Sequence, residues 1–200
     1  GSMFEKTSYD QIYDEHIFMF SASSVQKICL LFDMELIDIL KQETHGGSLR
    51  YVCARKNVYK IKTNVNYFID KEKKNNLDNI HSCFEFKKNC ENSKKNLKEK
   101  LLKLKEDNKK ICGYAATSKS TTILNYCNIG TEIIDFICDT TPEKIGKFSP
   151  GMHIPIKPIN YFHENYPDIA FLFAWNHKEE IFEKEKEFSQ KGKWFAHVEL

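Results

Sequence analysis

Tyr13, Asp14, Glu15 and His16 stand side by side, just ahead of the apolar run Ile17-Phe18-Met19-Phe20. A phenol, two carboxylates and an imidazole in four positions can form acid/base apparatus. Histidine titrates near neutrality and can take a proton, and a neighbouring carboxylate can orient it and stabilise its charged form. The same four residues also suit a solvated turn. Their types and spacing leave both readings open.

A second group of candidates lies in the other half of the chain, in Gly113-Tyr114-Ala115-Ala116-Thr117-Ser118-Lys119-Ser120-Thr121-Thr122. Small residues let backbone amides approach a ligand. A helix opening at Ser118 would point its positive end outward, and Lys119 adds charge, so the loop suits an anion such as a phosphate. The plain alternative is a loop that only turns the chain. The spacing is not that of a P-loop, and Ala115 stands where a dinucleotide fingerprint needs its second glycine, which counts against a nicotinamide-dependent dehydrogenase. Asp139 is placed like either a ribose-binding carboxylate or a turn cap. Asn176 is placed to cap a helix or to touch a substrate.

The elements that position these groups follow from periodicity. Ser21-Ala22-Ser23-Ser24 offers caps for a helix to about Asp33, with Val25, Ile28, Cys29 and Phe32 at helical spacing. Met34 to Leu40 and Leu49 to Ala54 read as strands across the turn Thr44-His45-Gly46-Gly47-Ser48, an antiparallel pair. Leu97, Leu101 and Leu104 mark an amphipathic helix from about Cys90 to Asn108, whose lysines form a solvated face. Strands are expected at 110–115, 133–138, 153–156, 169–173 and 194–198, with helices at 118–127 and 179–190. Alternating strands and helices give βαβ units and a parallel sheet.

The chain has 200 residues, 41% of them hydrophobic, which fits a globular protein with a real core. A formal net charge of +2 gives no reason to expect nucleic acid or a membrane surface as a partner. No apolar stretch approaches a membrane span. The seven cysteines form no CxxC and no zinc-site spacing, and several lie in apolar runs. No metal site is expected, and free structural thiols imply a reducing cytoplasm. Gly1-Ser2 ahead of Met3 reads as a cloning remnant.

In combination these segments resemble a known family. The run Gly113 to Cys127 is similar to a signature of sugar C-methyltransferases. So are Asp139-Thr140-Thr141-Pro142-Glu143-Lys144, Gly146 to Ile156, Pro167-Asp168 and Ala174-Trp175-Asn176. They look like the carboxy-terminal domain of S-adenosylmethionine-dependent enzymes that methylate nucleotide-linked keto-sugars. Ala115 and Ser120 stand where the family pattern has glycine, which makes the loop stiffer. Tyr13-Asp14-Glu15-His16 resembles the family's Tyr-x-Glu-His motif, and Thr44 to Arg50 its histidine-glycine turn.

The resemblance implies roles. His16 would remove the proton beside the ketone, Glu15 would orient the imidazole, and Tyr13 would bond the developing enolate or a sugar hydroxyl. His45, Gly46, Gly47, Ser48 and Arg50, with Gly113, Lys119, Asp139 and Asn176, would bind the nucleotide-linked sugar. It implies an α/β, Rossmann-like fold: a mostly parallel sheet with flanking helices, preceded by an antiparallel strand pair from an incomplete class I methyltransferase domain. Residues 3–63 would be the end of that domain. Residues 64–200 would be the carboxy-terminal domain, led by a helical connector at 64–110.

No glycine-rich donor loop precedes Tyr13, and the family's cysteine-rich zinc region is missing. S-adenosylmethionine is therefore expected to serve the complete enzyme and not to bind tightly here. The chain is expected to be a truncated or split piece, partnered by an amino-terminal half or a second copy. The alternative is a non-catalytic nucleotide-sugar-binding or protein-interaction module.

Overall fold

The computed structural model describes residues 2–198, the His45 side chain apart. The chain opens with helix α1 (Ser2–Lys6) and a 3-10 turn at Tyr9–Gln11. Helix α2 (Ala22–Leu31) starts where the serines predict. Ser21 accepts from the Ser24 amide while the Ser24 hydroxyl accepts from the Ser21 amide, so two orphan donors of the first turn are satisfied reciprocally.

Strands β1 (Met34–Gln42) and β2 (Ser48–Arg55) form the expected antiparallel pair across the Gly-Gly turn. Helix α3 (Thr63–Lys74) packs on β1. Ala22, Cys29, Leu36, Ile39, Val65 and Ile69 make one small core there. The Glu72 carboxylate accepts from the backbone amides of Ala22 and Ser23, fastening α3 to the positive end of α2. The boundary expected between residues 63 and 64 falls in the first turn of α3.

Helix α4 (Ile80–Glu106) begins ten residues before the expected start at Cys90, capped by the Asn79 side chain. Its first turns bury little, with Ile80 and Phe84 exposed, so apolar periodicity could not reveal them. Cys90, Leu97 and Leu101 face inward, and lysines pair with glutamates one turn on, such as Lys87 with Glu91.

The second half is an α/β layer. Strands β3 (Ile111–Tyr114), β4 (Ile137–Asp139), β5 (Ile156–Pro158), β6 (Ile169–Leu172) and β7 (Lys193–Phe195) form one parallel sheet in the order β5-β4-β3-β6-β7. All four residues of β3 and of β6 are buried, as strands covered on both faces must be. Helix α5 (Ser118–Cys127) and α4 cover one face, through Ile123, Leu124, Leu97 and Leu101. Helix α6 (Ile159–Glu164) contributes Phe162 to the other face.

The expected helix 179–190 is two, α7 (Lys178–Lys184) and α8 (Lys186–Lys191). They part at Glu185, whose buried carboxylate accepts from the Tyr114 hydroxyl and pairs with His163. Three strand limits also move. Ile133 and Ile134 are fully buried in a turn that precedes β4, a core role that reads like a strand in sequence. Strand β5 begins where the expected 153–156 strand ends, and β7 ends at Phe195. The α/β class, the parallel sheet and the antiparallel pair are as expected.

Candidate functional site

The parallel sheet winds outward from β3 to β4 and β5, then returns to β6 and β7 on the other side. In such sheets the crevice between the two central strands, at their carboxyl ends, is where ligands bind. Here the crevice is lined by the loop after β3, with Lys119, and by Trp175 and Asn176 after β6. It is filled by the chain's own Tyr9–Gln11 turn.

Asp10 is the centre of that plug and is fully buried. Its carboxylate accepts from Trp175 Nε1 at 2.7 Å and from His197 Nε2 at 3.2 Å, and Lys119 Nζ lies 3.8 Å away. Burial pushes the Asp10 carboxyl up, but the bonds from His197 and Trp175 and the charge of Lys119 outweigh it and hold the group below its ordinary value. Lys119 is buried too, which lowers its ammonium despite Asp10. It donates to Asn176 Oδ1 at 2.8 Å and sits 4.3 Å from the centre of the Trp175 ring. Lys119 and Asn176, 57 residues apart, are thus brought together.

The histidine-glycine turn joins the same cluster. Gly46 has φ +82°, and a Cβ on it would overlap the Trp175 ring, so both the backbone angle and the close approach require glycine. Lys6 Nζ donates to the Gly46 carbonyl at 3.1 Å. Gly47 follows at φ +123°. The His45 side chain lies outside the described residues. Ser48 opens β2, and Arg50 donates to the Gln42 side chain at 3.2 Å on the exposed face of the hairpin.

Two candidates have structural partners. Asp139 accepts from the Ala116 and Thr141 amides at 2.7 and 2.8 Å, with Lys144 at 3.4 Å, and so holds the β3 and β4 loops together. Burial raises its carboxyl and those bonds more than reverse the effect, leaving it below its usual range. Gly113 lies inside β3, where a Cβ would come within 2.6 Å of the Phe173 ring. Some of the amides expected to cradle an anion are engaged within the chain: Ala116 donates to Asp139, and Ser120 donates to Thr117, which caps α5. Ala115 carries φ +72°, a left-handed angle that glycine adopts without strain.

The Tyr13–His16 tetrad is a turn, closed by the His16 amide donating to the Tyr13 carbonyl at 2.8 Å. The Tyr13 and His16 rings lie 4.0 Å apart between centres. His16 Nδ1 is 2.8 Å from the Gln11 carbonyl. A carbonyl can only accept, so Nδ1 carries the proton and the basic lone pair is on Nε2. Asp14 and Glu15 are exposed. Burial raises the Tyr13 phenol, helped by the charges of Glu15, Asp10 and Asp14. Gln11 belongs to the Tyr9–Gln11 turn, so the group that holds His16 is one residue from Asp10, the centre of the plug.

Asp10, Gln11 and His197 were not legible as site residues. Asp10 and Gln11 stand in a short polar stretch without periodicity, and His197 lies inside an apolar segment that reads as a strand. The partners of Asp10 and His197 are distant in the chain. Among the described residues no group of three or more His, Cys, Asp or Glu could hold a metal ion, and no helix is long and apolar enough to cross a membrane.

A family model described as "C-methyltransferase C-terminal domain" matches residues 43–198. That span takes in the histidine-glycine turn, Lys119, Asp139 and Asn176, and the tetrad precedes it. "C-methyltransferase NovU" of Streptomyces niveus is 29% identical over 194 residues, covering 95% of this chain and 46% of that protein. The chain therefore spans about half the length of the curated relative it matches.

Proposed function

The chain belongs to the C-methyltransferase family, whose C-terminal domain it carries, and on that premise we propose that it supplies the substrate-side acid/base machinery of an S-adenosylmethionine-dependent enzyme acting on a nucleotide-linked keto-sugar. Methylation at a carbon beside a ketone needs that carbon to lose a proton first. His16 Nε2 takes the proton, the electron pair of the C–H bond moves into the ketone to form an enolate, and Tyr13 donates a hydrogen bond to the developing oxyanion. Glu15, exposed and next to His16 in the chain, is proposed to orient the imidazole.

The observation that carries this reading is the 2.8 Å contact from His16 Nδ1 to the Gln11 carbonyl. A base held in one tautomer by a backbone acceptor has the other nitrogen as its proton-accepting atom. Tyr13, His16 and the histidine-glycine turn face the sugar in this scheme. Lys119, Asn176, Asp139 and Gly113 act by holding the surrounding loops.

The crevice of the parallel sheet does not fit S-adenosylmethionine. Asp10 and Trp175 fill it, and the Ala116 and Ser120 amides of the β3 loop are bonded within the chain.

A second observation supports a polypeptide partner. Ile17, Phe18 and Phe20 are exposed, as are Ile28, Leu31 and Phe32 of α2 and the residue after it, with Leu31 80% exposed. The Lys62 amide and the Asn64 side chain donate to the Ile37 and Ile39 carbonyls of β1, while β2 is the barer edge of the pair. An apolar face beside an open strand suits the sheet of an amino-terminal, donor-binding half.

The test is methyl transfer by the complete enzyme. His16→Asn is expected to lower kcat by roughly 10²–10⁴, the usual worth of a general base. Unchanged turnover in that variant would remove His16 from the mechanism.

A further inference from the structure

Cys29 and Cys53 bring their Sγ atoms to 3.2 Å, across 24 residues of chain. Cys29 is near the end of α2 and only 6% exposed, whereas Cys53 lies in β2 and is exposed. Cys53 pairs in register with Leu36, which shares a core with Cys29, so the contact follows from how α2 seats on the hairpin. The other thiols lack this combination. Cys112 and Cys138 are also close partners, but both are sealed in the sheet at 0% and 1% exposure. Cys90 and Cys127 are buried, and Cys83 is exposed on the far α4 helix. Only the Cys29–Cys53 pair, among the described cysteines, joins a short sulfur–sulfur approach to a route for an oxidant.

We propose that Cys29 and Cys53 form an oxidisable dithiol, a covalent modification site at which a hydroperoxide closes a disulfide between α2 and β2. The Cys53 sulfur attacks one peroxide oxygen and the O–O bond breaks. With hydrogen peroxide this gives a sulfenic acid and one water. The Cys29 sulfur then attacks the sulfenyl sulfur, the S–O bond breaks, and a second water leaves with the thiol proton. Two thiols lose two electrons in all, and one peroxide gains them. The sulfurs close from 3.2 Å to the roughly 2.05 Å of a disulfide. Burial pushes the Cys29 thiol up to about 11, so the exposed Cys53 reacts first and the closing step quickens as pH rises.

The consequence is mechanical. Closure pins α2, whose outward side carries Ile28 and Leu31, to the strand at the open edge of the hairpin. The apolar face then has one fixed position relative to that edge. This inference stands on the two sulfurs and does not depend on the proposed reaction.

The experiment uses the full chain treated with a small excess of hydrogen peroxide, quenched, unfolded in denaturant, capped with N-ethylmaleimide and digested for mass spectrometry. The expected product is a Cys29–Cys53 cross-linked peptide, lighter by two hydrogens and opened by dithiothreitol, with the other five thiols alkylated. In Cys29→Ser the sulfenic acid on Cys53 has no resolving thiol and should be captured by dimedone. Cross-links involving Cys83 in preference, or sulfinic acid building up on Cys53 while Cys29 stays alkylated, would overturn the proposal.

Discussion

Trp175 donates its indole N–H to Asp10 at 2.7 Å, across 165 residues of chain. One end of this bond is the 3-10 turn that leads to the tetrad, and the other is the loop after β6. The indole ring meanwhile lies against Gly46 and under Lys119. The contact thus joins the antiparallel unit, the parallel sheet and the acid/base turn at one point.

Gly46→Ala tests that junction. The new Cβ overlaps the Trp175 ring and sits at φ +82°. A left-handed non-glycine residue costs about 1–2 kcal/mol and overpacking about 1–3. Gly146→Ala is the control, since its φ is +78° and nothing lies within 4 Å of the added atom. Urea unfolding should show Gly46→Ala less stable than Gly146→Ala by roughly 1–3 kcal/mol. Equal losses would mean that the ring can move aside.

Acid should loosen the same point. Asp10 has a folded pKa below its unfolded one, so its stabilisation is complete above about pH 4 and is lost as pH falls through the folded value. Asp139 shifts in the same direction and adds to the effect. Thermal midpoints recorded from pH 6 to pH 2.5 should fall in the acid range, and Asp10→Asn should flatten part of that slope. An identical slope in the variant would contradict the assignment.

Ala115→Gly should stabilise the protein. Its φ of +72° carries the left-handed penalty, about 1–2 kcal/mol, and glycine removes it at an entropic cost of about 0.5–1. A gain of roughly 0.5–1 kcal/mol is expected from denaturant unfolding. A loss would show that the Ala115 methyl packs too well to spare.

The apolar face separates stability from association. Leu31 is 80% exposed and Phe18 73%. Leu31→Lys and Phe18→Lys should each change stability by less than about 0.5 kcal/mol, while weakening association with the proposed amino-terminal, donor-binding half in sedimentation. A large loss of stability would mean that these side chains are packed within the chain itself.

The sequence made the layers legible because burial on both faces leaves apolar runs, and these mark β3 and β6. The serine caps at the start of α2 were equally readable, and so was the start of α5 at Ser118. Glu185 broke an expected helix because its carboxylate serves Tyr114 and His163, a tertiary demand with no local signal. The same is true of the site. Lys119 and Asn176 stood out by position, but Asp10 looked like any polar surface residue. Its importance arises from Trp175, His197 and Lys119, which only the fold brings to it. Asp139 was open between two readings, and its bonds from the Ala116 and Thr141 amides are tertiary contacts that the sequence alone did not show.

Removal by His16 of the proton beside the ketone, as proposed, is read by solvent deuterium exchange without methyl transfer. The complete enzyme is incubated with a nucleotide-linked keto-sugar in deuterium oxide, and label at the adjacent carbon is followed by mass spectrometry. The account predicts incorporation by the unaltered enzyme and its loss in His16→Asn, with Glu15→Gln intermediate. Wild-type exchange in His16→Asn would contradict it and move the base elsewhere.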